Sequence, residues 1–111
     1  MPNAEAAVVE KEKIVGYLLS ATHRYGANKA RFFIQFGFRA GAWERLAHAL
    51  LDQARRSEVT RTRQTGFGPR YEIDAKLSCP DGRHPMVRSV WQMDDGKIAP
   101  RLITAYPLED T

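Results

Sequence analysis

The hydrophobic period of this chain changes once, and that change limits what it can fold into. Between Ala42 and Arg56 the apolar residues Trp43, Leu46, Ala47, Leu50 and Ala54 fall on one face of a helix with about 3.6 residues per turn. After Ser57 the period drops to about two: Tyr71, Ile73, Ala75 and Leu77 alternate with Arg70, Glu72, Asp74 and Lys76. Helices that come first and strands that follow as a group cannot build the alternating pattern of a parallel α/β sheet. The order predicts an α+β domain.

The remaining elements fill in around that division. Val8, Val9, Ile14, Val15, Leu18 and Leu19 recur at roughly helical spacing and predict a first helix ending near Ser20. Residues 21–27 have no period, and Gly26 can supply a positive φ, so they form a loop. Asn28 is expected to cap a short second helix, Lys29–Phe36, stopped by Gly37; its Phe32, Phe33 and Phe36, with Phe38, read as core. Strands are expected over Glu58–Gln64, around Tyr71–Leu77, over Met86–Met93 and over Arg101–Tyr106. Gly66-Phe67-Gly68-Pro69, Pro80-Asp81-Gly82 and Asp94-Asp95-Gly96 supply the turns. The expectation is one domain, residues 1–111, with a helical part at about 5–56 and a meander at about 58–107. Its three N-terminal helices would pack on one face of a four-stranded antiparallel sheet.

Composition narrows the chemistry. A single cysteine, Cys79, rules out an internal disulfide and a cysteine-based zinc site. No apolar run approaches membrane-spanning length and no leader pattern is visible, so we expect a soluble, cytoplasmic protein with no membrane partner. A net charge of +4 permits a phosphate-bearing partner without requiring one. No carboxylate cluster, glycine-rich nucleotide loop or histidine-pair motif is present. We therefore expect neither metal nor cofactor.

The candidate functional residues lie in two places. His23 titrates nearest neutrality and can act as a general acid or base, or simply sit at the surface. Lys29 and Arg31 fall in the first turn of the second helix, where the macrodipole disfavours cations unless a phosphate sits there or water screens them. In the run Pro100–Pro107, alternation places Leu102, Thr104 and Tyr106 on one face and Arg101, Ile103 and Ala105 on the other, with Ile103 and Ala105 as the core pair. Arg88 interrupts an apolar strand and needs either an anion or a carboxylate such as Asp74 or Glu72. Arg101 has the same choice, with Glu109 or Asp110 in reach by sequence. If the register holds, Arg88, Thr104 and Tyr106 share a face opposite the core.

These residues together match what metal-free cleavage of RNA requires: one group to take the ribose 2′-hydroxyl proton, cations for the phosphorane, and a donor for the leaving 5′-oxygen. His23, Lys29, Thr104 and Tyr106 are the catalytic candidates, and Arg31, Arg88 and Arg101 the substrate-binding ones. The alternative is a non-catalytic module that binds RNA or protein through a basic sheet surface such as Arg61 and Arg63.

Tyr17-Leu18-Leu19, His23, Gly26, Lys29-Ala30, Phe32-Phe33, Gly37-Phe38, Trp43, Pro80-Asp81-Gly82-Arg83, Val90-Trp91 and Pro100 to Pro107 resemble the bacterial domain of unknown function family 6883. The resemblance runs from about Lys13 to Pro107. A helical first part, a four-stranded meander and a Thr-Ala-Tyr-Pro ending are similar to the barnase, EndoU, colicin D and RelE-like ribonuclease toxins. That resemblance implies an endoribonuclease, possible as the toxin of a toxin–antitoxin pair. It assigns His23, Lys29, Thr104 and Tyr106 to catalysis and Arg88 to phosphate, and it implies a cognate antitoxin or inhibitor protein as partner.

Overall fold

In a computed structural model, which describes residues 1–24 and 27–108, the chain is an α+β domain. Its elements are a 3₁₀ turn (Ala4–Ala6), α1 (Lys11–Lys13), a π-helical turn (Ile14–Leu18), α2 (Ala27–Gln35), a second 3₁₀ turn (Ala40–Ala42) and α3 (Trp43–Arg56). The strands are β1 (Arg61–Thr65), β2 (Gly68–Lys76), β3 (Met86–Gln92) and β4 (Arg101–Pro107), antiparallel in the order β1-β2-β3-β4.

α3 buries the residues that its period selects, Leu46, Ala47, Leu50 and Ala54. It also buries one that the apolar pattern omits. Gln53 is 0 % exposed and its Nε2 donates to the Ala75 carbonyl at 2.9 Å and to the Val87 carbonyl at 2.7 Å. Its Oε1 accepts from the Ser89 hydroxyl at 2.6 Å, and Ser89 Oγ accepts from Trp91 Nε1 at 2.9 Å. This chain of bonds fixes α3 against β2 and β3 and satisfies every polar group it takes out of water.

α2 ends as expected. Gly37, at φ +102°, lets Phe38 N–H reach the Phe33 carbonyl at 3.1 Å and its own N–H reach Ile34 at 3.0 Å, a Schellman closure. The start differs: the helix begins at Ala27, so Asn28 lies inside it rather than capping it. Gly26 falls outside the described residues. Phe33 and Phe38 are core, whereas Phe36 is half-buried with the Arg83 guanidinium 3.9 Å from its ring centroid.

The N-terminal segment departs further. Val8 is extended, not helical: its N–H donates to Pro100 O at 2.8 Å, and its carbonyl accepts from Leu102 N–H at 3.1 Å. The exposed edge of β4 offers unpaired backbone groups that β-branched Val8 and Val9 suit better than a helix. Ala4–Ala6 is also tied to the helical part, since Arg55 donates to the Ala4 and Glu5 carbonyls at 3.2 Å.

The face assignment of β4 needs one correction. Register runs Arg88↔Tyr106, Ser89↔Ala105 and Val90↔Thr104, then slips so that Trp91 faces Leu102 and Gln92 faces Arg101. Ile103 is the extra residue of this bulge. Leu102 and Ala105, not Ile103 and Ala105, are therefore the buried pair. The slip also moves Arg101 onto the face that carries Thr104, Tyr106 and Arg88.

Candidate functional site

Tyr17 is where the helical part meets β4. A helix that continued regularly through Gly16 would close i→i+4 bonds; here Leu19 N–H reaches back five residues to the Ile14 carbonyl at 2.7 Å. The widened turn keeps Ile14 and Leu18 in the core. It also sends the Tyr17 phenol to the edge of the sheet, where its oxygen lies 3.1 Å from Thr104 Oγ1. The His23 ring meets the Tyr17 ring edge-on, centroids 4.9 Å apart. Lys29 Nζ and Lys13 Nζ lie 5.3 and 5.4 Å from the centre of the same ring.

A cleft of about 650 Å³ opens over this contact, lined by Glu10, Glu12, Lys13, Tyr17, His23, Arg101 and Thr104 among others. Burial pushes the Tyr17 phenol up. Hydrogen bonding with Thr104 and Lys29 and the charges of Lys29 and Lys13 outweigh it, so the net shift is below the ordinary tyrosine value. The arrangement is an acidified phenol bonded to a hydroxyl, beside an imidazole and two ammonium groups.

Arg88 and Tyr106 form a neighbouring cluster on the same sheet face. Arg88 Nε and Nη2 donate to the two Asp74 oxygens at 2.7 and 2.8 Å, and Nη1 donates to the Tyr106 oxygen at 3.4 Å. That bidentate bond is the main reason the Asp74 carboxyl is held below its usual range. Glu72 lies 3.5 Å from Arg88 and 3.1 Å from Arg63. Of the two ways to satisfy Arg88, the carboxylate is the one observed.

Arg101 lines the cleft and is held by Asp94 at 2.7 Å; Glu109 and Asp110 lie outside the described residues. Arg31 lines a separate depression with Ala21, Ala27 and Ile34. His48 and His84 are exposed. Thus His23, Lys29 and Thr104 gather around Tyr17, Arg101 borders them, and Tyr106 and Arg88 pair beside them. Among the described residues, no group of three or more His, Cys, Asp or Glu side chains is placed to hold a metal ion, and no helix is long and apolar enough to cross a membrane.

Sequence reasoning passed over Tyr17 as a chemical group. Its signal was a glycine inside a helical run directly before a tyrosine, but the extra residue in the turn leaves no mark in the apolar period.

The family profile described as Domain of unknown function (DUF6883) matches residues 1–109. The chain belongs to the DUF6883 family. No curated protein matches it in sequence. In fold, this DUF6883 domain is similar to a chain in the contact-dependent growth inhibition toxin–immunity protein complex from Klebsiella pneumoniae 342. The TM-score is 0.73 at 17% identity, over 97% of this chain and 98% of that one. The likeness shows that the two share a fold from end to end.

Proposed function

We propose that this DUF6883 chain is a metal-independent endoribonuclease of the toxin kind, acting on cytoplasmic RNA. The observation that carries the reading is the convergence of His23, Lys29 and Thr104 on Tyr17, with Tyr17, His23 and Thr104 lining one cleft. His23 takes the proton from a ribose 2′-hydroxyl. The freed oxygen attacks the adjacent phosphorus, and the bond to the 5′-oxygen breaks. Lys29 and Lys13 balance the charge gathering on the phosphorane. The Tyr17 phenol, with its lowered pKa, gives its proton to the departing 5′-oxygen, and Thr104 orients that phenol. The products are a 2′,3′-cyclic phosphate and a 5′-hydroxyl. Arg88, engaged by Asp74 and Tyr106, braces the sheet beside the cleft, and Arg101 holds a phosphate of the bound strand at the cleft margin.

A fold shared with a chain of a toxin–immunity complex supports the toxin part of this reading. A cell that makes such an enzyme needs it silenced, so the reading includes a cognate inhibitor protein.

The test is incubation of bacterial RNA with purified protein in EDTA, beside His23→Ala and Thr104→Ala, with the product ends determined. Cyclic phosphate ends that disappear in both variants support the enzyme. RNA left intact by folded, inhibitor-free protein overturns it in favour of a binding module.

A further inference from the structure

Cross-strand register assembles a row that no single stretch of sequence contains. Arg63 faces Arg70, Arg70 faces Gln92, and Gln92 faces Arg101. Two arginines directly opposite each other in an antiparallel pair repel, which costs the sheet stability. The fold spends side-chain contacts to keep them: Arg63 leans on Glu72 at 3.1 Å, Arg70 Nε donates to Gln92 Oε1 at 3.1 Å, and Arg101 is held by Asp94. Glu72, only 8% exposed, is left with Oε1 lacking any hydrogen-bond partner. At a strand spacing of about 4.8 Å the row is roughly 14 Å long, and its Arg101 end opens into the cleft. The same face also carries Arg61, opposite Glu72, and Arg88, bound to Asp74, so carboxylates border the row on that side.

Two exposed apolar side chains stand along the turn margin of this row. Phe67, at the β1–β2 turn, is 76% exposed, and Ile98, before β4, is 74% exposed. The Phe67 turn is tied to the β3–β4 turn by Asp95 N–H donating to the Phe67 carbonyl at 2.7 Å. A narrow basic track with an aromatic ring beside it is the arrangement that binds single-stranded nucleic acid: guanidinium groups follow the backbone and a ring stacks a base. A duplex needs a broader surface.

We infer that single-stranded RNA lies across the sheet, leaving the cleft at Arg101, passing Arg70 and Arg63, and stacking a base on Phe67. This rests on the ribonuclease reading for the identity of the ligand, but its test does not require cleavage. A fluorescent 2′-O-methyl oligonucleotide, which cannot be cut by 2′-oxygen attack, is titrated against the full chain at several salt concentrations. The same sequence as a duplex is titrated in parallel.

We expect the single strand to bind more tightly than the duplex. For single strands each phosphate contact contributes about 0.7 to the slope of log K against log salt, so Arg70→Gln and Arg63→Gln should each lower the slope by about that amount. Phe67→Ala should weaken binding roughly 5- to 150-fold, the loss of one stacked base, with the slope unchanged. Each variant is checked for unaltered thermal unfolding, and Arg70→Lys should restore the slope. An unchanged slope in a folded Arg70→Gln protein, equal duplex affinity, or an indifferent Phe67→Ala overturns the track. Binding of the expected form by a protein that cuts no RNA would sink the ribonuclease reading and leave the track standing.

Discussion

Tyr17→Phe removes one oxygen from the centre of the proposed site and leaves its packing in place. The ring that meets His23 and lies under Lys13 and Lys29 is retained, so the bonds to Thr104 and Lys29 and the ionisable proton are what is lost. Each of the two bonds is worth about 1 kcal/mol to folding, and in a domain of this size each 1 kcal/mol is a fall of roughly 4–8 °C in Tm. Loss of a general acid typically costs about 10²- to 10⁴-fold in rate, or roughly 3–5 kcal/mol of transition-state stabilisation. The two effects differ enough to be separated. The assay is single-turnover formation of cyclic phosphate ends from a short RNA, beside thermal unfolding of the same samples. Thr104→Val should lose less, and the double variant should fall short of the sum of the two, because the second change breaks a bond already absent. If Tyr17→Phe cleaves within a few-fold of the parent, or loses activity only as its folded fraction falls, Tyr17 is not the proton donor.

Titrating tyrosinate absorbance should reveal one phenol ionising below the usual tyrosine range, absent from Tyr17→Phe and moved upward in Lys29→Met, since the lysine stabilises the anion. Gln53→Met should cost roughly 2–4 kcal/mol in urea unfolding, because three buried bonds lose their partner at once. A loss under about 1 kcal/mol would remove the argument that this amide locks α3 to the sheet. Arg88→Met should destabilise the domain by roughly 2–4 kcal/mol at neutral pH. Asp74 has its folded pKa lowered by Arg88, so its contribution is present above the unfolded carboxylate value and is lost as pH falls through the folded one. The gap between parent and variant should therefore close on acidification below about pH 4, and a gap constant with pH would refute the pairing. Burial first, and then the Asp81 charge, push the Cys79 thiol up to about 11, so alkylation should be slow at neutral pH and accelerate only in strong alkali, as mass spectrometry would record.

The α+β division, α3, the Gly37 stop and the strand order are legible because each rests on a local rule: a period, a cap, a turn. That Arg88 and Tyr106 share a face follows from alternation along β3 and β4 and needs only the register. Three features escape such rules. Val8 and Val9 fit a helical spacing, yet an open strand edge elsewhere in the chain claims Val8. Gln53 is polar on an apolar face, and its partners are backbone carbonyls on distant strands. Tyr17 reaches Thr104 through a turn one residue wider than the apolar period implies. For the site this means that His23, Lys29 and Thr104 are visible as residue types, while the phenol that joins them is a product of tertiary geometry.

The bulge at Val90 and Trp91 makes the length of β4 as consequential as its composition. Ile103 acts as a spacer: with it present, Leu102 and Ala105 both reach the core while Arg101, Thr104 and Tyr106 all reach the other face. Were the bulge ironed out with every residue kept, uninterrupted pairing from Tyr106 backward would set Ile103 opposite Trp91 and Leu102 opposite Gln92, and would turn Arg101 onto the core face. Lineages of this domain should therefore accept the loss of a single codon at the bulge, which closes it and keeps Arg101 opposite Gln92, more readily than the gain of one.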